Sequence, residues 1–311
     1  KLFNDVRFSS TGKVSCATCH APGKGFTDSP LKVSEGIDGL TGTRNAPTVL
    51  NAAFNKTQFW DGRSPDLEDQ SQHPFVNPVE MGLKDHQPIL EVIAADADYQ
   101  KAFEQVFKVA GGKVEMEHVK QAIAAFERTQ IFGNSRFDQY YFAGKKDALS
   151  EQELRGFTVF LKEGRCISCH AVEQSSALFT DHKFHNIGIG VNALGDKINP
   201  LAQAFIKAKA DGIDVDKAVL SDENTSHLGR FVVNDQLSSM GAFKTPTLRN
   251  IALTAPYMHD GSLETLKDVV IHYNNGGASD EKEVITPFLS GGMRPLNLTD
   301  QQIDDLVAFM E

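Results

Sequence analysis

The chain has 311 residues, of which 41% are hydrophobic and 23% charged, a natural length for two domains and the balance of a soluble globular protein. Its formal net charge of −10 argues against a nucleic-acid partner, since phosphate recognition needs clustered Lys and Arg, and weakly favours a basic or locally apolar redox partner. No stretch is long and apolar enough to cross a bilayer, and Lys1-Leu2-Phe3-Asn4-Asp5 opens no signal peptide, so the chain reads as a mature or trimmed form.

Taken in chain order, the first signal is Cys16-Ala-Thr-Cys19-His20, a C-x-x-C-H. Gly and Pro cluster over 21–47 and read as loops. A helix is expected over Val114–Phe132, with Val119, Ile123, Phe126 and Gln130 along one face. The domain junction falls near Phe142-Ala-Gly-Lys-Lys-Asp147. A second helix over Leu149–Lys162, with Ser150 as N-cap and Glu153 closing a capping box, runs into Cys166-Ile-Ser-Cys169-His170. Further Gly and Pro clusters at 186–200 and 274–295 read as loops, and Thr299 caps a last helix through Met310. Strand-like alternation is scarce, so the class is all-α.

All four cysteines are used by the two C-x-x-C-H motifs, the signature of covalent haem attachment. Both thiols of a pair must reach the vinyl groups on one porphyrin edge, and the next residue then sets an imidazole under the iron. A zinc site would need further ligands at knuckle spacing, and a redox dithiol would want a βαβ context. Two haem c groups, no disulfide and an exported protein are therefore expected.

The motifs lie 150 residues apart, and a second echo lies at an offset of 199. Pro47/Pro246, Thr48/Thr247, Asn51/Asn250, Ala53/Ala252, Asp61/Asp260 and Gly62/Gly261 match, and Leu67/Leu266 and Asp69/Asp268 continue it. The second half thus carries about 49 extra residues, roughly 181–230. The reading is an internal duplication with two cytochrome c-like haem domains, 1–142 and 143–311.

The order of these motifs, with Arg44-Asn-Ala-Pro-Thr-Val-Leu-Asn51, Gln58-Phe-Trp-Asp-Gly-Arg63 and Leu253-Thr-Ala-Pro-Tyr-Met-His-Asp-Gly261, resembles the bacterial dihaem cytochrome c peroxidases and their MauG-type relatives. The resemblance runs from about Leu2 to the C-terminus. It implies a peroxide-binding N-terminal haem held by Cys16, Cys19 and His20, and an electron-storing C-terminal haem held by Cys166, Cys169 and His170. It also implies Trp60 between the haems, Gln70, Pro74 and Glu80 in the distal pocket, and an interdomain Ca2+ on Asn45 with the carbonyls of Thr254 and Pro256, oxygen donors that suit this ion.

Two departures set the type. Many of these peroxidases cap the resting peroxidatic iron with a loop histidine, but Val33-Ser-Glu-Gly-Ile37-Asp-Gly39 has none, so an open iron is expected. The methionine that usually ligates the second haem is replaced by Tyr273, the ligand in MauG-type enzymes; Met258, and after it His272 or His259, are the alternatives. By the repeat, Tyr273 pairs with Pro74, which has no side-chain donor for iron. A phenolate stabilises ferric and higher states, whereas methionine raises the potential. The expected activity is periplasmic reduction of hydrogen peroxide with electrons from a small cytochrome c or copper protein, with Glu80 as proton carrier. The alternatives are MauG-like oxidation of a protein substrate and pure electron transfer. A homodimer is possible. His182 and His185, in the inserted stretch, are expected to border the second haem or an interface.

Overall fold

Short amphipathic segments broken by Gly and Pro fold into short helices, because each segment can bury only one stripe. A computed structural model describes residues 1–109, 113–278 and 283–311. Its helices are α1 (Cys16–Cys19), α2 (Leu67–Val76), α3 (Gln87–Ala95), α4 (Ala97–Phe107), α5 (Met116–Arg128), α6 (Arg136–Tyr141) and α7 (Glu151–Leu161). They continue with α8 (Val191–Leu194), α9 (Ile198–Ala210), α10 (Val215–Ser221), α11 (Glu223–His227), α12 (Phe231–Asn234), α13 (Leu266–Asn274) and α14 (Asp300–Met310). The sheet is one antiparallel pair, β1 (Phe184–His185) with β2 (Phe243–Lys244), in which Phe184 faces Lys244. The protein is mostly helical, as expected.

The expected capping boxes form. The Ser150 hydroxyl accepts from the Glu153 N–H, whose carboxylate accepts from the Ser150 N–H at 2.7 Å. Thr299 and Gln302 do the same for α14. α5 is shorter than expected, and its buried stripe is Val119, Ile123, Ala124 and Glu127. Phe126 lies beside that stripe, partly exposed, with its ring 4.9 Å from Phe3, and Gln130 falls beyond the helix end. The loop expected over 186–200 holds α8 and the start of α9. Pro200 sits in the first turn of α9, where a missing N–H costs nothing. In the loop expected over 274–295, residues 279–282 lie outside the described residues.

Three large apolar clusters hold the described residues, beside a small one of Ala52, Leu67 and Ala124. The first joins Phe8, Phe75, Ile89, Ile93, Tyr99, Phe103, Val119 and Ile123. A second joins Phe137, Phe157, Phe160, Phe179, Val270, Ile303 and Leu306, so α6 already packs with the second half. The third is made by the inserted stretch and the segment after it, through Val191, Phe205, Val219, Leu228, Phe231 and Met240, with Val79 of the first half against it.

The duplication is legible in backbone detail. Asn51 and Asn250 both take left-handed φ near 60°, each opening a single 3-10 turn. Asp66 and Thr265 cap α2 and α13 through equivalent bonds. The helix pair under the second motif meets at Gly156 in α7, where an added Cβ would lie 1.9 Å from the Asp305 carbonyl oxygen of α14. Gly156→Ala is therefore expected to lower stability by about 1–3 kcal/mol through overpacking. An unchanged denaturant midpoint would reject this close helix contact.

Candidate functional site

Each C-x-x-C-H closes as one turn, the N–H of His20 donating to Cys16 O at 2.9 Å and that of His170 to Cys166 O at 2.8 Å. The cysteines of a pair are thereby held on one side of a turn that ends at the histidine. His20 Nδ1 lies 3.2 Å from the Phe26 carbonyl, and His170 Nδ1 2.8 Å from that of Phe179. A carbonyl only accepts, so Nδ1 carries the proton and Nε2 keeps its lone pair, which is how a metal-bound imidazole is fixed. Burial lowers both histidines, which keeps them neutral. All four thiols are free, and burial pushes Cys16, Cys19 and Cys166 up to about 12. A redox dithiol needs a depressed thiol instead. The donor set therefore fits covalent haem at both motifs.

Above the first motif stands Glu80. Burial pushes its carboxyl up to about 8; Asp216 adds to the rise and Arg63 opposes it. Its Oε2 is buried without a hydrogen-bond partner, and the carboxylate is close enough to raise the Cys16 and Cys19 thiols. Gln70 and Pro74 lie on α2, and the Pro74 carbonyl accepts from the Met81 N–H at 3.2 Å, joining the helix to the segment bearing Glu80. His73 on the same helix pairs with Asp69 at 3.3 Å, with its ring edge-on to Phe59. The Ile37 side chain is buried in the first core, and its N–H donates to the Glu80 carbonyl at 2.9 Å. In the same loop, Ser34 lies beside the Cys19 thiol. Trp60 is half-buried where the halves meet, and its Nε1 donates to the Asn45 carbonyl at 2.9 Å.

At the second motif, burial pushes the Tyr273 phenol up, and the nearby thiols of Cys166 and Cys169 push it further. The phenol thus faces the second cysteine pair as Glu80 faces the first. Met258 has φ 76°, like its repeat mate Phe59 at 63°. His259 stacks on Phe243 with centroids 3.6 Å apart and lies 3.2 Å from His227, while His272 Nε2 lies 2.8 Å from the Ile187 carbonyl. His185 borders the second motif, pairing with Asp181 at 2.8 Å and sitting close to Cys169, whereas His182 Nδ1 is buried without a partner. Asn45 Nδ2 donates to the Lys32 carbonyl at 3.1 Å, leaving its amide oxygen as the available ligand. Among the described residues no hydrogen bond reaches the carbonyl of Thr254 or of the buried Pro256. These oxygens suit a hard cation.

A buried charge network beneath Glu80 was not anticipated. Arg44 Nη1 meets Asp61 at 2.7 Å, Arg63 bridges Asp61 at 3.1 Å and Asp216 at 2.7 Å, and Asn77 donates to Asp216 at 2.8 Å. Arg44 also donates to the Ser226 hydroxyl and carbonyl at 3.0 Å. Two cations thus balance two anions, and Asp61 is held at about 2 because the two arginines outweigh its burial. Arg44, Asp61 and Arg63 lay within recognised motifs with no role assigned; Asp216 and Ser226 sit in the insertion, where no motif marked them.

The description "Di-haem cytochrome c peroxidase" belongs to the family model that matches residues 1–147. Among curated relatives, the methylamine utilization protein MauG of Methylorubrum extorquens is 34% identical across all of this chain and 75% of its own length. The cytochrome c551 peroxidase of Nitrosomonas europaea is 35% identical over 93% of this chain and 76% of its own. Among solved structures, a MauG-like protein associated with microbial copper homeostasis superposes with a TM-score of 0.79, at 32% identity, over 99% of this chain and 86% of its own. The diheme peroxidase BthA of Burkholderia thailandensis follows at 0.75 and 25%, over 99% and 83%.

Asp216 raises the proton affinity of Glu80 and Arg63 lowers it. Asp216→Asn is accordingly expected to move the Glu80 titration down and Arg63→Leu to move it up, read by carboxyl infrared difference spectra against pH. Shifts of the same sign in both variants would remove the network from control of Glu80.

Proposed function

The chain belongs to the dihaem cytochrome c peroxidase family, which includes the MauG proteins, and is an oxidoreductase with two haem c groups; on that premise we propose that it reduces hydrogen peroxide to water. The setting is the bacterial periplasm, and the electrons come from a small cytochrome c or copper protein. Among the described residues no helix is long and apolar enough to cross a membrane.

His20 would hold the peroxidatic haem and His170 the electron-storing haem, each tied through its cysteine pair, and the bound haems would supply the redox chemistry of peroxide reduction. Glu80 carries the reading: a buried, partnerless Oε2 beside the first cysteine pair keeps its proton to about pH 8. At neutral pH its carboxyl can give its proton to the departing peroxide oxygen and take up the proton of the oxygen that stays behind. Gln70 would orient the peroxide, and Pro74, with no side-chain donor, would leave the peroxide seat free. Ile37, tucked into the core, does not compete for that seat. Trp60 would relay charge between the halves. Tyr273 would ligate the second haem, Met258 being the alternative, and Asn45 with the Thr254 and Pro256 carbonyls would bind Ca2+ between the halves.

A second reading, oxidation of a protein substrate in the MauG manner, is favoured by Tyr273 lying against Cys166 and Cys169, because a phenolate ligand stabilises oxidised states. Steady-state turnover with a reduced cytochrome donor, set against turnover with a protein substrate, separates the two.

Glu80→Gln is expected to cut peroxide turnover about 10²- to 10⁴-fold with both haems still attached. The wild-type rate should fall as pH rises through about 8, where Glu80 loses its proton, and the variant should lack that limb. A near-normal rate in Glu80→Gln takes the residue out of the mechanism. EPR of the oxidised protein should give one high-spin and one low-spin haem; two low-spin signals would contradict an open first iron.

A further inference from the structure

The 199-residue offset relates main-chain bonds as well as motifs. The Asn45 N–H donates to the His259 carbonyl at 2.9 Å, and the Lys244 N–H donates to the Trp60 carbonyl at 2.8 Å. Lys244 is the repeat mate of Asn45, and His259 is the mate of Trp60. The two bonds are one bond made twice, in opposite directions between the halves. Thr57 is likewise the mate of Pro256, and Asn55 of Thr254.

The two seats built on this pair differ in the side chain that enters them, Asn45 in one and Lys244 in the other. On one side the Asn45 amide accompanies the Thr254 and Pro256 carbonyls. On the other, Lys244 Nζ donates to the Thr57 carbonyl at 2.8 Å. We infer that the Lys244 ammonium is a built-in cation filling the pseudo-twofold mate of the calcium seat proposed above. A main-chain carbonyl left without an N–H partner can be met by an oxygen-seeking ion or by an ammonium, which has three donors. Lys244 is 9% exposed, and burial lowers its ammonium to about 8 against the opposing charge of Asp61, which leaves it protonated at neutral pH. The main-chain segment carrying Trp60 is therefore held by an ammonium tethered to the chain, without free metal, while the segment carrying Tyr257 to His259 depends on a bound ion. The comparison with calcium rests on the calcium reading; the Lys244 seat itself stands on the hydrogen bond and the repeat.

Calcium retained by the dialysed dihaem protein tests this. Lys244→Asn makes the second seat like the first, and is expected to retain one more equivalent per chain than the wild type. Lys244→Met, which offers no ligand, should retain no more than the wild type. A Lys244→Asn protein with no added calcium after dialysis from millimolar calcium overturns the inference, as does an equal gain in Lys244→Met. Wild-type protein holding none would overturn the calcium reading of Asn45, Thr254 and Pro256, and the gain in Lys244→Asn would still judge the Lys244 seat. Should Lys244→Asn fail to accumulate, the converse variant Asn45→Lys carries the test. It is expected to lose the wild-type calcium and keep its dihaem spectrum in chelator, and retained calcium would overturn the inference.

Discussion

Two main-chain hydrogen bonds hold the halves in register: Asn45 N–H to His259 O and Lys244 N–H to Trp60 O. Lys244 lies in β2 and Asn45 at the equivalent repeat position, and they reach the segments that lead into α2 and α13 respectively. A buried N–H left unpaired is costly, so these bonds allow little sliding between the halves. Side chains add to the same junction. Trp60 Nε1 donates to the carbonyl of Asn45, Arg44 lies over Phe243, and Phe243 stacks on His259.

The junction is symmetric in backbone and asymmetric in chemistry. Where the first half carries Pro74, the second carries Tyr273; where the first carries Trp60, the second carries His259. Duplication supplied two equal folds, and these substitutions allow the halves different tasks. The acid is unequal too. Glu80 is buried beside the first cysteine pair, and the facing phenol of Tyr273 is buried beside the second. A carboxyl that keeps its proton near neutrality suits proton delivery, whereas a phenol suits coordination.

The insertion adds, through Asp216, to the rise in Glu80 proton affinity that burial begins. Asp216 and Ser226 come from the extra residues of the second half, yet they complete a charge network anchored on Arg44, Asp61 and Arg63 of the first. Removing one member would leave a buried charge uncompensated, which is far costlier than the pair is stabilising. The insertion thus packs against Val79 of the first half and contributes to the electrostatics around Glu80 while building its own apolar cluster.

Covalent haem attachment, the duplication and the helical class were all readable from the chain, because each depends on local spacing: two thiols and an imidazole within five residues, a fixed 199-residue offset, and caps three residues apart. The capping boxes at Ser150 and Thr299 formed because both partners lie in one turn. Patterns that depended on packing were harder. The buried stripe of α5 runs through Ala124 and Glu127 instead of Phe126 and Gln130, and α8 and α9 occupy a stretch whose Gly and Pro suggested a loop. Tertiary structure alone decided that Asp216 meets Arg63 across 153 residues, that Glu80 keeps its proton, and that Lys244 reaches the Thr57 carbonyl across 187. Such pairings join segments far apart in the chain, and burial, which sets both their strength and the proton affinities, is a property of the folded neighbourhood that no residue carries alone.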